Sequence, residues 1–272
     1  MNRKQIPNPV KAYYSRRFID SPDARPVRLL AEYLEPLERF EDVHIRDTIL
    51  IFGSARTWER DRALSHLEEA KRTGAPVEAH ERELRMARYY EDARELARRL
   101  TEWSKGLKEG GRRFVICTGG GPGIMEAANR GASEAKGQNI GLGISLPQEQ
   151  SVNPYITRRL AFEFHYFFMR KFWFLYLAKA VVIMPGGYGT LDELFECLTL
   201  VQTGKIHKRL PIVLYGAEFW DRVINLEALV EFGTISPEDL DLFHRSDSVD
   251  DAFDYITGEL TEYAVDRPGF GL

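Results

Sequence analysis

Short apolar runs alternate along this chain with longer segments in which apolar residues recur every three or four positions. Residues 48–52, 114–117, 139–146, 180–184 and 210–215 carry few polar positions and read as strands buried on both faces, the last residues of the third run being closed by Pro147. The intervening segments read as helices. From 25 to 40, Val27, Leu30, Leu34 and Leu37 share helical spacing and predict an N-terminal helix packed on the main body. Residues 58–108 predict a long helical connection broken near Gly74-Ala75-Pro76, and 162–177, rich in Phe, Tyr and Trp, reads as a buried helix. Further helices are expected from about 191 to 203, over 218–231 and over 249–260. Strands interleaved with helices predict an α/β, Rossmann-like fold, a mostly parallel sheet with helices on both faces and an N-terminal helical extension. The expected organisation is an extension over 1–45, a single domain over 46–262 with a helical insertion at about 58–108, and a tail over 263–272.

The turns that follow three of the strands narrow the picture. Gly53-Ser54 follows the first, Thr118-Gly119-Gly120-Gly121-Pro122-Gly123 the second, and Pro185-Gly186-Gly187-Tyr188-Gly189-Thr190 the fourth. Glycine loops between a strand and a helix let backbone N–H groups converge on an anion, which the helix N-terminus also favours. Pro122 is placed to open the helix after the triple glycine. In parallel sheets ligands bind beyond the carboxyl ends of the strands, where all three loops are expected.

Composition excludes several classes. A chain of 272 residues with 44% hydrophobic content supplies a full core, and a formal charge of −4 gives neither a general nucleic-acid surface nor a polybasic membrane patch. Cys117 and Cys197 each sit in an apolar run, so neither a disulfide framework nor a cysteine zinc site is expected. Residues 1–20 lack the apolar segment of a leader, and His165, Arg170 and Lys171 interrupt the aromatic stretch before it reaches membrane-spanning length. The expectation is a cytoplasmic protein with a small ligand, no metal and no cofactor.

Charged residues beside the loops are the candidate chemistry. Thr190-x-x-Glu193 is a capping-box pattern, which gives Glu193 a purely structural alternative, and Asp192 reads as a solvated first-turn acid. Arg170 lies in an aromatic helix, where a cation needs a partner unless its long stem carries it to solvent. His165 reads as a packed or edge histidine. Lys179 and Lys205 lie near the loops without the spacing of a Walker motif.

Three of these segments together, Cys117–Glu126, Met169-Arg170-Lys171 and Pro185–Glu193, resemble the Lonely Guy family of phosphoribohydrolases, once labelled lysine decarboxylases. The resemblance runs from about Thr48 to Tyr215. It implies a Rossmann-like fold, at least a homodimer, and hydrolysis of the N-glycosidic bond of a nucleoside 5′-monophosphate, a cytokinin riboside monophosphate or AMP, to free base and ribose 5-phosphate. It implies catalytic roles for Arg170 and Glu193, with the substrate bound by Gly53, Ser54, Gly119, Gly120, Gly121, Gly123, Met125, Met169, Lys171, Gly186, Gly187, Gly189 and Thr190. Arg170 is expected to hold the Glu193 carboxylate ionised. Asp192 stands where many members have Glu, and Pro122 where the residue varies. The alternative class is a non-catalytic nucleotide or molybdenum-cofactor carrier, which needs the loops but not the catalytic pair. Lysine decarboxylation is set aside, since no Schiff-base lysine with its supporting groups is legible.

Overall fold

The structure is a computed structural model and describes residues 8–108, 112–145 and 152–266. In chain order its helices and strands are α1 (Arg16–Ile19), α2 (Arg25–Asp42), β1 (Thr48–Phe52), α3 (Arg60–Thr73), α4 (Glu78–Gly106), β2 (Val115–Thr118), α5 (Ile124–Glu134), β3 (Asn139–Ile144), β4 (Ala161–Phe164), α6 (Phe167–Leu177), β5 (Ala178–Ile183), α7 (Tyr188–Gln202), β6 (Ile212–Tyr215), α8 (Ala217–Val223), α9 (Leu226–Glu231), β7 (His244–Ser246) and α10 (Val249–Tyr263). The strands form one seven-stranded sheet in the order β4-β3-β2-β1-β5-β6-β7, with every neighbouring pair parallel.

Alternation along the central strands divides the core between the two faces. Leu50, Phe52, Val181 and Ile183 point to a layer built with Phe40 of α2, Trp173 and Phe174 of α6, and Leu194 and Cys197 of α7. Ile49, Ile51, Ala180 and Val182 point to the opposite layer, against α4, α5 and α10. Burial on both sides explains why these strands read as unbroken apolar runs. The chain builds outward from β1 to β4, then returns to β5 on the other side of β1. That reversal makes the gap beyond β1 and β5 a topological switch point.

Several elements differ from the sequence expectation. Residues 161–164 are a strand, not the start of the aromatic helix: Phe162 and Phe164 are buried while Glu163 between them is exposed, a period of two hidden inside an aromatic run. The 218–231 segment divides into α8 and α9, the second opened by Asn225, whose side chain accepts from the Ala228 N–H. β7 is an edge strand too short to announce itself. Pro122 precedes the helix rather than opening it, because Gly123 is the N-cap of α5. Leu146, Pro147, and 267–272 of the expected tail lie outside the described residues.

The apolar stripe expected to bind α2 to the body also differs. Val27, Leu30 and Leu34 are 45%, 59% and 54% exposed. Tyr33, Leu37 and Phe40 make the packed face instead, with Tyr33 5.8 Å and Phe40 5.5 Å from the Trp173 ring. Large aromatics on one side of the helix turned the smaller aliphatic stripe outward. Lys179 is likewise not near the loops, since it begins β5 at the opposite sheet edge, 3.7 Å from the buried Asp47 that also pairs with Arg113.

Candidate functional site

The three predicted glycine turns lie side by side at the carboxyl ends of β2, β1 and β5 and are stitched together through their backbones. Met184 N–H donates to Phe52 O (2.8 Å), Ser54 N–H to Pro185 O (3.0 Å) and Ile124 N–H to Ser54 O (3.0 Å). The Ser54 hydroxyl accepts from Arg56 N–H (3.0 Å). Gly123 has φ +71° and lies so close to Ser54 O that a side chain there would run into that carbonyl. The middle of the triple glycine is anchored from behind. Gly120 N–H donates to the Thr118 hydroxyl (2.9 Å), and Asn153 Nδ2 donates to Gly120 O, Gly121 O and Asn129 Oδ1. Asn129, itself bonded to Thr118, Asn139 and Ile140, completes a buried polar network that fixes the loop. With its amide so engaged, Gly120 shapes the loop rather than presenting a free donor.

The Pro185–Thr190 turn is organised differently. α7 begins at Tyr188 with Gly187 as N-cap, so Gly189 and Thr190 belong to its first turn, where backbone N–H groups have no partner within the helix. Thr190 is packed against Gly186, which explains the first glycine. Gly187 and Gly189, by contrast, have nothing within 4 Å of where a Cβ would stand, and both are exposed. Sterically, the fold does not need glycine at either place. Their missing side chains leave open space over a row of helix-terminal amides, a concavity suited to a phosphate.

Glu193 lies one turn further along α7, on its inner face, 4% exposed. The capping-box alternative fails, because Gly187 is the N-cap and Thr190 lies inside the helix, so Glu193 has no cap to reach. Burial pushes its carboxyl up to about 7. Lys171 and Arg170 on α6 pull in the opposite direction and do not overcome it, which corrects the expectation that Arg170 keeps the carboxylate fully ionised. Lys171 Nζ bridges Asp192 Oδ2 (2.8 Å) and Glu196 Oε2 (2.7 Å), tying α6 to α7 on either side of Glu193. Asp192 is therefore exposed but engaged. The Arg170 guanidinium stands over the rings of Phe167 (5.1 Å) and Phe174 (5.4 Å). Met169 is half-buried in the same turn, and Met125 places its sulfur beside Gly119. His165 is exposed, edge-on to Tyr166.

Sequence reasoning missed two supports of this arrangement. One is the Asn129–Asn153 network, whose only local sign is an amide among the small residues of α5. The other is Glu32 on α2: its carboxylate accepts from His165 N–H (2.8 Å) and Tyr166 N–H (3.3 Å) at the start of α6, and its carbonyl from Trp173 Nε1 (2.9 Å). An acid there satisfies orphan donors and complements the helix dipole. Glu32→Ala is expected to lower stability by about 1–2 kcal/mol in urea denaturation, because it frees the donors at the start of α6.

Residues 125–256, which include Arg170, Glu193 and all of α7, match the family model described as possible lysine decarboxylase. The matched stretch is just under half of the chain. The match begins past the triple-glycine loop and continues beyond Tyr215, where the sequence resemblance was expected to stop. A cytokinin riboside 5′-monophosphate phosphoribohydrolase of Oryza sativa subsp. japonica is 30% identical over 158 residues, covering 57% of this chain and 60% of that protein. Another of the same description from Arabidopsis thaliana is 32% identical over 102 residues, covering 33% and 46%. The pyrimidine/purine nucleotide 5′-monophosphate nucleosidase of Escherichia coli (strain K12) is 31% identical over 129 residues, covering 41% and 26%. The matches thus span less than two thirds of each of these relatives. Among solved structures, the molybdenum cofactor carrier protein of Chlamydomonas reinhardtii aligns with 79% of this chain and 99% of its own at 19% identity and a TM-score of 0.46. Among the described residues, no helix is long and apolar enough to cross a membrane.

Proposed function

We propose that this protein hydrolyses the N-glycosidic bond of a nucleoside 5′-monophosphate, releasing free base and ribose 5-phosphate. The observation that carries the reading is a buried carboxylate, Glu193, flanked by two cations and set one helical turn inside a first turn whose glycines leave room for a phosphate. The names of the relatives agree with it.

In this reading the 5′-phosphate rests on the amides of Gly187, Tyr188, Gly189 and Thr190, with Gly53, Ser54, Gly119 and Gly123 forming the wall of the crevice and Met125 and Met169 its apolar lining. The ionised Glu193 faces the ribose and stabilises positive charge at C1′ as the bond to the base breaks. Water forms the new C1′–O bond, and its proton leaves with the base. Arg170 orients the nucleotide and compensates the charge of Glu193. Lys171 acts by holding α7 against α6 through Asp192 and Glu196. Tyr188, 92% exposed at the loop mouth, and Phe195 give α7 an apolar outer rim, which suits a base or a second copy of the chain. The outward stripe of Val27, Leu30 and Leu34, with exposed Phe167 and Phe168 on α6, supports assembly as at least a dimer.

The test is base release from paired monophosphates and nucleosides, AMP and its N6-isopentenyl form included. Release from the monophosphates with little from the matched nucleosides is the expected result. Tight monophosphate binding with no release would instead make the protein a carrier.

A further inference from the structure

The α3–α4 hairpin stands outside the site just described, yet three metal-ligating side chains converge across it. His66 projects from α3, and His80 and Glu83 from α4, with one ligand atom of each within 4.8 Å of the others. Both histidines place Nδ1 3.2 Å from the same oxygen, Glu83 Oε2. Around a tetrahedral ion with bonds of about 2.0–2.1 Å, neighbouring donors stand about 3.3–3.4 Å apart. The two edges meeting at Glu83 already have nearly that length.

The scaffold brings these donors together without help. His80 and Glu83 are three residues apart on one helix and so share a face. His66 is delivered by the antiparallel helix, whose buried Ala63, Leu67 and Ala70 fix its packing. Trp58 meets the His66 ring edge-on at 5.9 Å. All three side chains are about a third exposed, which leaves the remaining coordination positions to water. Two imidazoles and a carboxylate with an open side form a donor set for zinc and its late first-row neighbours, and a poor one for hard cations.

We propose that His66, His80 and Glu83 bind a divalent transition-metal ion, Zn²⁺ being the occupant their chemistry fits best, as a staple across the α3–α4 hairpin. The proposal departs from the sequence expectation of no metal, which rested on the two isolated cysteines and took no account of these histidines. The staple lies far along the chain from Glu193 but is connected to the loops. Glu59, the N-cap of α3, pairs with Arg130 of α5 (2.5 Å), and Arg60 N–H donates to Glu91 of α4 (3.1 Å). A metal would therefore stiffen the layer behind the triple-glycine turn without touching the reacting atoms.

The test is calorimetric titration of chelator-treated full-length protein with Zn²⁺, beside His80→Gln and Glu83→Gln, with helical content checked by circular dichroism. One Zn²⁺ per chain is expected in the wild type, weakened more than about tenfold in each variant, and neither Mg²⁺ nor Ca²⁺ should bind. Absence of saturable Zn²⁺ binding, or equal binding by wild type and both variants, would overturn the proposal. Should a variant fail to fold, Co²⁺ added to the wild type decides: intense visible bands of a low-coordinate ion are expected, and the weak spectrum of hydrated Co²⁺ would overturn it.

Discussion

Glu193→Gln is expected to lower base release by about a thousandfold or more while leaving the fold intact. The amide keeps the volume and most hydrogen-bonding capacity of the acid, so what it removes is the negative charge opposite C1′. Loss of one electrostatic partner in a water-poor site is worth on the order of 4 kcal/mol in the barrier. The same residue sets the pH dependence. Its carboxyl is pushed from 4.5 to about 7 by burial, and the proposed role requires the ionised form, so kcat/KM should fall on the acid side of about pH 7. Stability should move the other way. Because the folded-state value lies above the unfolded one, the folded protein binds more protons between pH 4.5 and 7, and stability is lost as pH rises through that window. A neutral amide removes this penalty. Glu193→Gln should therefore be more stable than wild type at pH 8, by up to about 3 kcal/mol, and gain little at pH 4. Urea unfolding at the two pH values measures the difference.

Gly123→Ala should be among the most damaging single methyls in the described loops, costing about 3 kcal/mol or more. Its φ of +71° with ψ −130° is a region open essentially to glycine, and the added carbon would meet the Ser54 carbonyl that accepts from Ile124 N–H. Relief requires the β1 and β2 turns to separate, which breaks the stitching across the switch point. Gly187→Ala and Gly189→Ala provide the contrast. Nothing in the protein opposes a side chain at either position, and alanine at Gly189 improves helix propensity by up to about 1 kcal/mol. Gly189→Ala should unfold no more readily than wild type, and Gly187→Ala, at the N-cap where alanine is the poorer residue, by at most about 1 kcal/mol more readily. Both should show a raised KM for monophosphates, because the lost space belongs to the ligand. Thermal or urea unfolding of the three variants, with KM for the last two, separates the glycines that build the loops from those that clear room.

The strands and the glycine turns were legible in the sequence because each is local: an apolar run buried on two faces and the small residues that let it turn. Arg170 and Glu193 could be singled out for the same reason, one a cation among aromatics and the other a fixed distance past a glycine loop. What the sequence concealed depends on contacts between distant segments. Glu32 reads as an ordinary helix acid until α2 is laid across the start of α6. The outward turn of Val27, Leu30 and Leu34 follows from competition with Tyr33 and Phe40 for the same surface, which periodicity alone does not decide. Residues 161–164 were lost inside a helix because aromatic residues satisfy both periods. The elevated carboxyl of Glu193 likewise needed the packed structure, since only burial there outweighs two neighbouring cations.

The most direct measurement of the central claim is product analysis after incubating the wild-type protein and Glu193→Gln with AMP and its N6-isopentenyl form. The account predicts free base and ribose 5-phosphate in equal amounts from the wild type and neither product from Glu193→Gln. Equal base release by both proteins, or intact nucleotide with both, would contradict it.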